Sequence, residues 1–222
     1  MATRLNGTNA PAGHYRAIVL SPHLDDAVLS CGQLLAGRPD AVVVTVFAGF
    51  PRNAQDVVTP FDKKCGFGSA HEAVWTRRDE DRRACGLLNA GVIHLPFLDH
   101  QYRDERGVSL TDVRDHLQGV IRRIDPQYVL GPLGLQHPDH KIAALCAQTA
   151  AEELNVEYHC YEELPARVLW PDGVHLDIEM RVGPNPVRAM LGSGPIEAKQ
   201  TAIEAYESQR AEVAALENGA GY

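Results

Sequence analysis

Along the chain, short apolar runs alternate with longer stretches in which apolar residues return every three or four positions. Ala17–Leu20 is a compact apolar run of strand length, and the valine-rich Ala41–Ala48 reads as a second buried strand. Val92–Phe97, interrupted by Pro96, then Tyr128–Leu130 and Val156–Tyr161 complete the strand candidates. Between them, Asp26–Ala36 keeps its apolar residues on one helical face and stops at Gly37. Glu72–Leu88 has helical spacing, with Trp75, Ala84, Leu87 and Leu88 as core candidates. Thr111–Ile124 is amphipathic behind an N-cap at Ser109 or Thr111. Asp139–Leu154 carries Ile142, Leu145, Cys146, Thr149 and Ala150 on its apolar side, and Ile196–Leu216 reads as a final helix. Apolar strands alternating with helices predict an α/β, Rossmann-like fold. Its sheet is mostly parallel with helices on both faces, and its active site lies at the C-terminal edge of the strands.

The pattern predicts one domain over 16–217, preceded by a flexible lead at 1–15 and followed by a tail at 218–222. Two irregular stretches punctuated by Pro and Gly, 49–69 and 164–195, are expected to shape a pocket, because compact domains rarely carry long loops without a use for them. Composition narrows the partners. With 45% hydrophobic residues in 222, the chain can bury a full core without staples. A net charge of −8 argues against nucleic acid. No apolar run approaches the ~20 residues of a membrane helix, and Met1–Gly13 lacks the apolar segment of a secretory signal. The five cysteines form no Cys-x-x-Cys pair, which fits reduced thiols in a cytoplasmic protein.

The candidate chemistry lies in two clusters. Ser21-Pro22-His23-Leu24-Asp25-Asp26 follows the first strand, and His137-Pro138-Asp139-His140 follows the fourth. Taken singly, Asp25 and Asp26 suit the positive end of a helix dipole, and the two histidines suit a polar loop. Two such clusters at equivalent strand-to-helix junctions point instead to one shared metal ion. His23, Asp26 and His140 offer two imidazoles and a carboxylate, a set that suits Zn²⁺ with a fourth position for water. The same donors also hold Fe²⁺ or another divalent ion. An ion of this kind acidifies water and polarises a carbonyl, which makes the chain a hydrolase candidate. Asp25 is then placed to take the proton of that water. His137 is placed to donate to an oxyanion or a leaving group, with Asp139 orienting its ring.

Two rival readings use some of the same residues. His23-x-Asp25 with His140 also matches Fe²⁺ oxygenases in which Asp25 would be the ligand, but those sites sit on a double-stranded β-helix rather than on alternating strands and helices. A binding module without catalysis would want a phosphate loop. No Gly-x-Gly-x-x-Gly follows the first strand, and Gly131-Pro132-Leu133-Gly134 is a weak substitute.

The ordered motifs resemble the PIG-L/LmbE-like zinc deacetylases. The first cluster is similar to that family's Ala-His-Pro-Asp-Asp-Glu, and the second matches its His-Pro-Asp-His. Arg77-Arg78-Asp79-Glu80 with Ala84 and Leu88 resembles its Arg-x-x-Glu-x-x-x-Ala helix. Lys199, Ala202 and Tyr206-Glu207-Ser208-Gln209 resemble its C-terminal signature. The resemblance spans about residues 16 to 210. It implies a Rossmann-like fold and zinc-dependent hydrolysis of an N-acyl group, usually acetyl, from an amino sugar such as an N-acetylglucosamine conjugate. A non-sugar N-acylated metabolite is the alternative substrate. It implies His23, Asp26 and His140 as zinc ligands, Asp25 as general base and His137 as oxyanion stabiliser and candidate acid. It also makes Arg77, with Arg78 as its rival, and Asp99 candidates for gripping sugar hydroxyls or a phosphate-like group. Four positions depart from the family's pattern. Leu24 replaces a proline, and Ala27 replaces the acid after the Asp pair. Leu135 stands where some members carry tyrosine, and Tyr206 takes the place of a frequent histidine.

Overall fold

A computed structural model describes residues 15–169 and 194–209. The expected lead before Tyr15, most of the 164–195 stretch, the helix expected beyond Gln209 and the 218–222 tail lie outside the described residues. The strands are β1 (Ala17–Ser21), β2 (Ala41–Thr45), β3 (Gly91–His94), β4 (Tyr128–Pro132) and β5 (Glu157–Tyr161). The helices are α1 (Asp26–Ala36), α2 (Pro60–Lys64), α3 (Ala70–Leu87), α4 (Leu110–Ile124), α5 (Pro138–Glu153), α6 (Leu164–Leu169) and α7 (Ile196–Ile203). Short 3₁₀ turns lie at His100–Tyr102 and Glu207–Gln209.

The strands form one all-parallel sheet in the order β3-β2-β1-β4-β5. Alternate side chains of a strand face opposite sides of the sheet, so each strand feeds two cores. Ala17, Val19, Ala41 and Val43 pack with α1, α3 and α7 through residues such as Val28, Leu35, Ala84 and Ala202. Ile18, Leu20, Val42 and Val44 pack with α4 and α5 through Val113, Leu117, Ile121, Ala143 and Ala147. Strands covered on both faces must be apolar throughout, and β1 and β2 are fully buried along their length. The sequential order turns around between β1 and β4, which pair as Ala17↔Tyr128, Ile18↔Val129 and Val19↔Leu130. The chain leaves these neighbouring strands in opposite directions and opens a crevice at their carboxyl ends. Both polar clusters stand at that crevice.

Several expectations need correction. Trp75 and Leu87 on α3 and Leu145 on α5 are more than half exposed rather than core residues. The reason is that the inward stripe of α3 is partly charged. Arg77, Glu80 and Asp81 are buried beside Ala73, Val74, Ala84 and Cys85. Glu80 accepts the Ser208 N–H and hydroxyl, both at 2.7 Å, and Asp81 accepts the Tyr206 hydroxyl at 2.9 Å. These bonds turn the chain after Ile203 back onto α3, so the last helix is shorter than its periodicity predicts. The 49–69 stretch also contains structure: α2, held by a capping box between Thr59 and Asp62. β2 ends at Thr45, beyond which Phe47 bridges to Pro96. Gly49 lies so close to this second segment that a Cβ there would meet the Pro96 carbonyl oxygen at 2.1 Å. No helix among the described residues is long and apolar enough to cross a membrane.

Candidate active site

The turn after β1 is built so that its two carboxylates do different things. The Ser21 hydroxyl donates to the His23 carbonyl (2.6 Å) and accepts the Ala27 N–H (2.9 Å), tying the turn to the first turn of α1. Asp26 accepts the His23 N–H at 2.9 Å. Asp25 is the N-cap of α1 by position, yet its side chain makes no capping bond. Its carboxylate instead lines the cavity. The turn after β4 ends at α5, where Pro138 opens the helix and the His137 ring nitrogen Nδ1 accepts the Asp139 N–H at 3.2 Å.

The two turns meet on Asp26. Its Oδ2 lies 3.3 Å from His23 Nδ1 and 3.1 Å from His140 Nε2. The other nitrogen of each ring faces a second carboxylate: His23 Nε2 lies 3.0 Å from Asp139 Oδ2, and His140 Nδ1 lies 3.3 Å from Glu163 Oε1. Metal-binding histidines are commonly backed in this way, which fixes the tautomer and aims the free nitrogen. By chemistry, the two imidazoles of His23 and His140 with the Asp26 carboxylate between them suit a divalent ion. His137 joins them closely. Nitrogens of His23, His137 and His140 lie within 4.8 Å of one another, and the His23 and His137 rings meet edge to face at 4.9 Å.

The charges follow the same division. Burial pushes the Asp25 carboxyl up, neighbouring Asp26 adds to this, and the result is about 7. Burial acts the same way on Asp26, but His140 and His23 outweigh it and hold Asp26 well below the usual carboxylate range. For His140, burial alone would lower the pKa; Asp26 and Glu163 outweigh it and raise the imidazole to about 9. His137 goes the other way, down to about 4, through burial and the neighbouring His23 and His140. Its neutral ring accepts at Nδ1, so the proton sits on Nε2.

One expected role changes. Asp139 does not orient the His137 ring with its carboxylate. It is fully buried, and its Oδ2 accepts from His23 and from the His100 N–H (2.9 Å), while Oδ1 pairs with Arg103. Only its backbone N–H reaches His137. At the start of a helix the N-cap side chain meets the backbone N–H of N2, which leaves the N2 side chain free for other partners. Here it reaches His23 in the turn after β1.

His23, Asp25, Asp26, His137 and His140 line a cavity of about 350 Å³. Its walls add Phe47, Phe61, Leu135 and Ala166, so both irregular stretches contribute to it. Arg77 also lines it, whereas Arg78 turns away to the His94 ring (3.0 Å) and the face of Phe50. Arg77 is held by Asp62 at 2.9 Å and sandwiched by Phe61 and Phe67, but its buried Nε and Nη2 have no hydrogen-bond partner among the described residues. Gln209 Nε2, on the same cavity, is likewise buried and unpartnered. Asp99 accepts from Gln101 through both oxygens and faces the cavity from the 3₁₀ turn. Glu163 and Arg103 escaped the sequence reading. The available signal for Glu163 was an acidic residue just past the carboxyl end of a strand. For Arg103 there was none.

The PIG-L family model, described as GlcNAc-PI de-N-acetylase, matches residues 18–151. Among solved structures, a deacetylase triple mutant of the teicoplanin biosynthetic pathway is 31% identical, with a TM-score of 0.70 over 92% of this chain and 85% of that one. The zinc-inhibited form of teicoplanin deacetylase is 29% identical, with a TM-score of 0.70 over 87% and 84%. The deacetylase of the antimicrobial A40926 pseudoaglycone is 28% identical, with a TM-score of 0.68 over 88% and 83%. No curated protein matches the sequence.

Proposed function

Because the chain belongs to the PIG-L family of de-N-acetylases, we propose that it is a zinc-dependent hydrolase that removes the N-acetyl group of an amino-sugar conjugate. The observation that carries this reading is the convergence of His23 and His140 on Asp26 Oδ2, with a second carboxylate behind each ring. A divalent ion held by these three residues supplies Lewis acidity, polarising the acyl carbonyl and acidifying a water molecule.

The remaining steps belong to the chain's own groups. Asp25, uncommitted to capping, accepts a proton from the attacking water as its oxygen bonds to the acyl carbon. His137, its Nδ1 occupied, presents Nε2–H to the carbonyl oxygen as negative charge develops there. When the carbon–nitrogen bond breaks, Asp25 returns its proton to the departing amine. Water and amide thus give acetic acid and the amine, which in neutral solution share the remaining proton as acetate and ammonium. The role of Asp139 is to hold His23, and through Arg103 its own charge is compensated.

Arg77 and Asp99 serve as the substrate grip. The buried donors of Arg77 and Gln209 lack partners among the described residues and suit hydroxyl, carboxylate or phosphate oxygens on the ligand. The cavity volume suits one sugar-sized group rather than a polymer segment. The relatives named for teicoplanin and for the A40926 pseudoaglycone support a conjugated amino sugar rather than a free one. The test is release of acetate and free amine from a panel of N-acylated amino sugars, their conjugates and non-sugar N-acyl metabolites, with and without chelator. Turnover that survives complete metal removal, or a purified chain that binds no divalent ion, would overturn the reading.

A further inference from the structure

Glu163 stands between β5 and α6, fully buried, and belongs to neither cluster. Its Oε1 accepts the N–H groups of Gly134 (2.8 Å) and Leu135 (2.9 Å) and lies 3.3 Å from His140 Nδ1. Its Oε2 accepts the Leu133 N–H at 3.1 Å, a proton shared with the Tyr161 carbonyl. A buried carboxylate is tolerated only when its lone pairs are engaged, and here three consecutive amides and an imidazole engage it. The chain curls around it, with Gly134 at φ +80° and Gln136 at φ +53°. This makes a nest of backbone N–H groups, the kind of concavity that binds anions. Because the nest is filled from within by Glu163, these amides face away from substrate. The oxyanion role then falls to His137 on the same loop, whose own N–H is fixed to the Leu135 carbonyl at 2.6 Å.

We propose, on the metal-site reading above, that Glu163 is a positioning residue for both histidines of the second cluster. It holds His140 with the proton on Nδ1 and Nε2 free for the ion, and it shapes the loop that presents His137. A carboxylate serving the loop alone would leave His140 Nδ1 without this partner. Here one oxygen atom serves both, so the metal side and the oxyanion side of the site share a single support. The expected signature is a joint loss, in metal affinity and in turnover, from one substitution outside the ligand set.

The experiment pairs Glu163→Gln with ring-¹⁵N NMR of histidine-labelled protein. Glutamine keeps the size and one acceptor oxygen but loses the charge. Zinc affinity by competitive titration should fall by about 10–100-fold. The kcat of the zinc-loaded variant should fall while KM stays within about twofold, because the substrate grip lies on Arg77 and Asp99. In the wild-type protein the His140 signals should show a proton on Nδ1, both with and without zinc. A His140 with no proton on Nδ1 overturns the proposal. So does a variant that binds zinc as tightly as wild type with unchanged kcat. The spectrum of wild type decides the matter even if the variant does not fold. A wild-type chain that binds no zinc sinks the metal reading instead, and the metal-free spectrum then judges the Glu163–His140 contact on its own.

Discussion

Replacing Asp139 with asparagine tests whether that carboxylate serves His23 or His137. In the structure both its oxygens are committed, Oδ1 to Arg103 and Oδ2 to His23 and the His100 N–H. The side chains of Asp139 and Arg103 are 0% and 6% exposed, and the Arg103 Nη1 is buried without a partner among the described residues. Arg103 also lies over the Phe47 ring, 5.0 Å from its centroid. Asparagine offers one acceptor oxygen where two directions need one, and it strands the guanidinium charge. Breaking a buried pair from one side costs about 3–5 kcal/mol, and a substitute of equal size that keeps one hydrogen bond belongs near the lower figure. With a urea slope of about 2 kcal/mol/M, the unfolding midpoint should drop by about 1.5 M. The measurement is made with chelator present, so that metal binding does not enter. Arg103→Met in the same background should recover part of the loss, because the pair is then replaced rather than broken. In the metal-loaded protein, Asp139→Asn should weaken zinc binding by about 10–100-fold. An unchanged midpoint and unchanged affinity, with only kcat reduced as in His137→Ala, would return Asp139 to His137 and refute this assignment.

Three further outcomes are expected. Asp25→Asn should retain stoichiometric zinc yet lose about 10²–10⁴-fold in kcat, whereas His23→Ala and His140→Ala should lose the zinc itself; elemental analysis beside an amine-release assay separates the two behaviours. Gly49→Ala should cut activity and lower the melting temperature, because its Cβ would sit 2.1 Å from the Pro96 carbonyl oxygen, a backbone atom that cannot turn aside. In the native protein at pH 8, a thiol reagent should modify Cys160 and Cys65 well before Cys31 and Cys85, which are buried; burial pushes the Cys31 thiol up to about 12. Rapid labelling of Cys31 under native conditions would contradict the packing of α1 against the sheet.

Much of the fold was legible because parallel strands covered on both faces leave an unmistakable mark. The Ala17–Leu20 and Ala41–Thr45 runs have no polar face to confuse, and α1 has the bounds its sequence predicts. The two clusters were legible as a pair through their common position after a strand. Their actual meeting depends on β4 pairing with β1, and strand order is a long-range property that no local pattern encodes. The same limit hid Glu163 and Arg103, whose partners are distant in sequence. On α3 the period misled for a different reason: buried charge replaces apolar residues on the inward stripe, so Trp75 looked like core when Arg77, Glu80 and Asp81 were the inward residues. Asp139 shows the smallest error. Its near neighbour in sequence, His137, meets only its backbone N–H, while its carboxylate serves His23 and Arg103.

The pairing of β1 with β4 has a consequence for how this protein can fail. A slip of one residue between parallel strands displaces one relative to the other by about 3.3 Å and exchanges the faces of every side chain. That displacement exceeds the 3.1 Å separating Asp26 from His140. A misregistered sheet therefore cannot hold a weakened version of the site; it holds none. Activity in any preparation then counts correctly assembled molecules one by one, and the chemistry itself becomes a gauge of strand alignment.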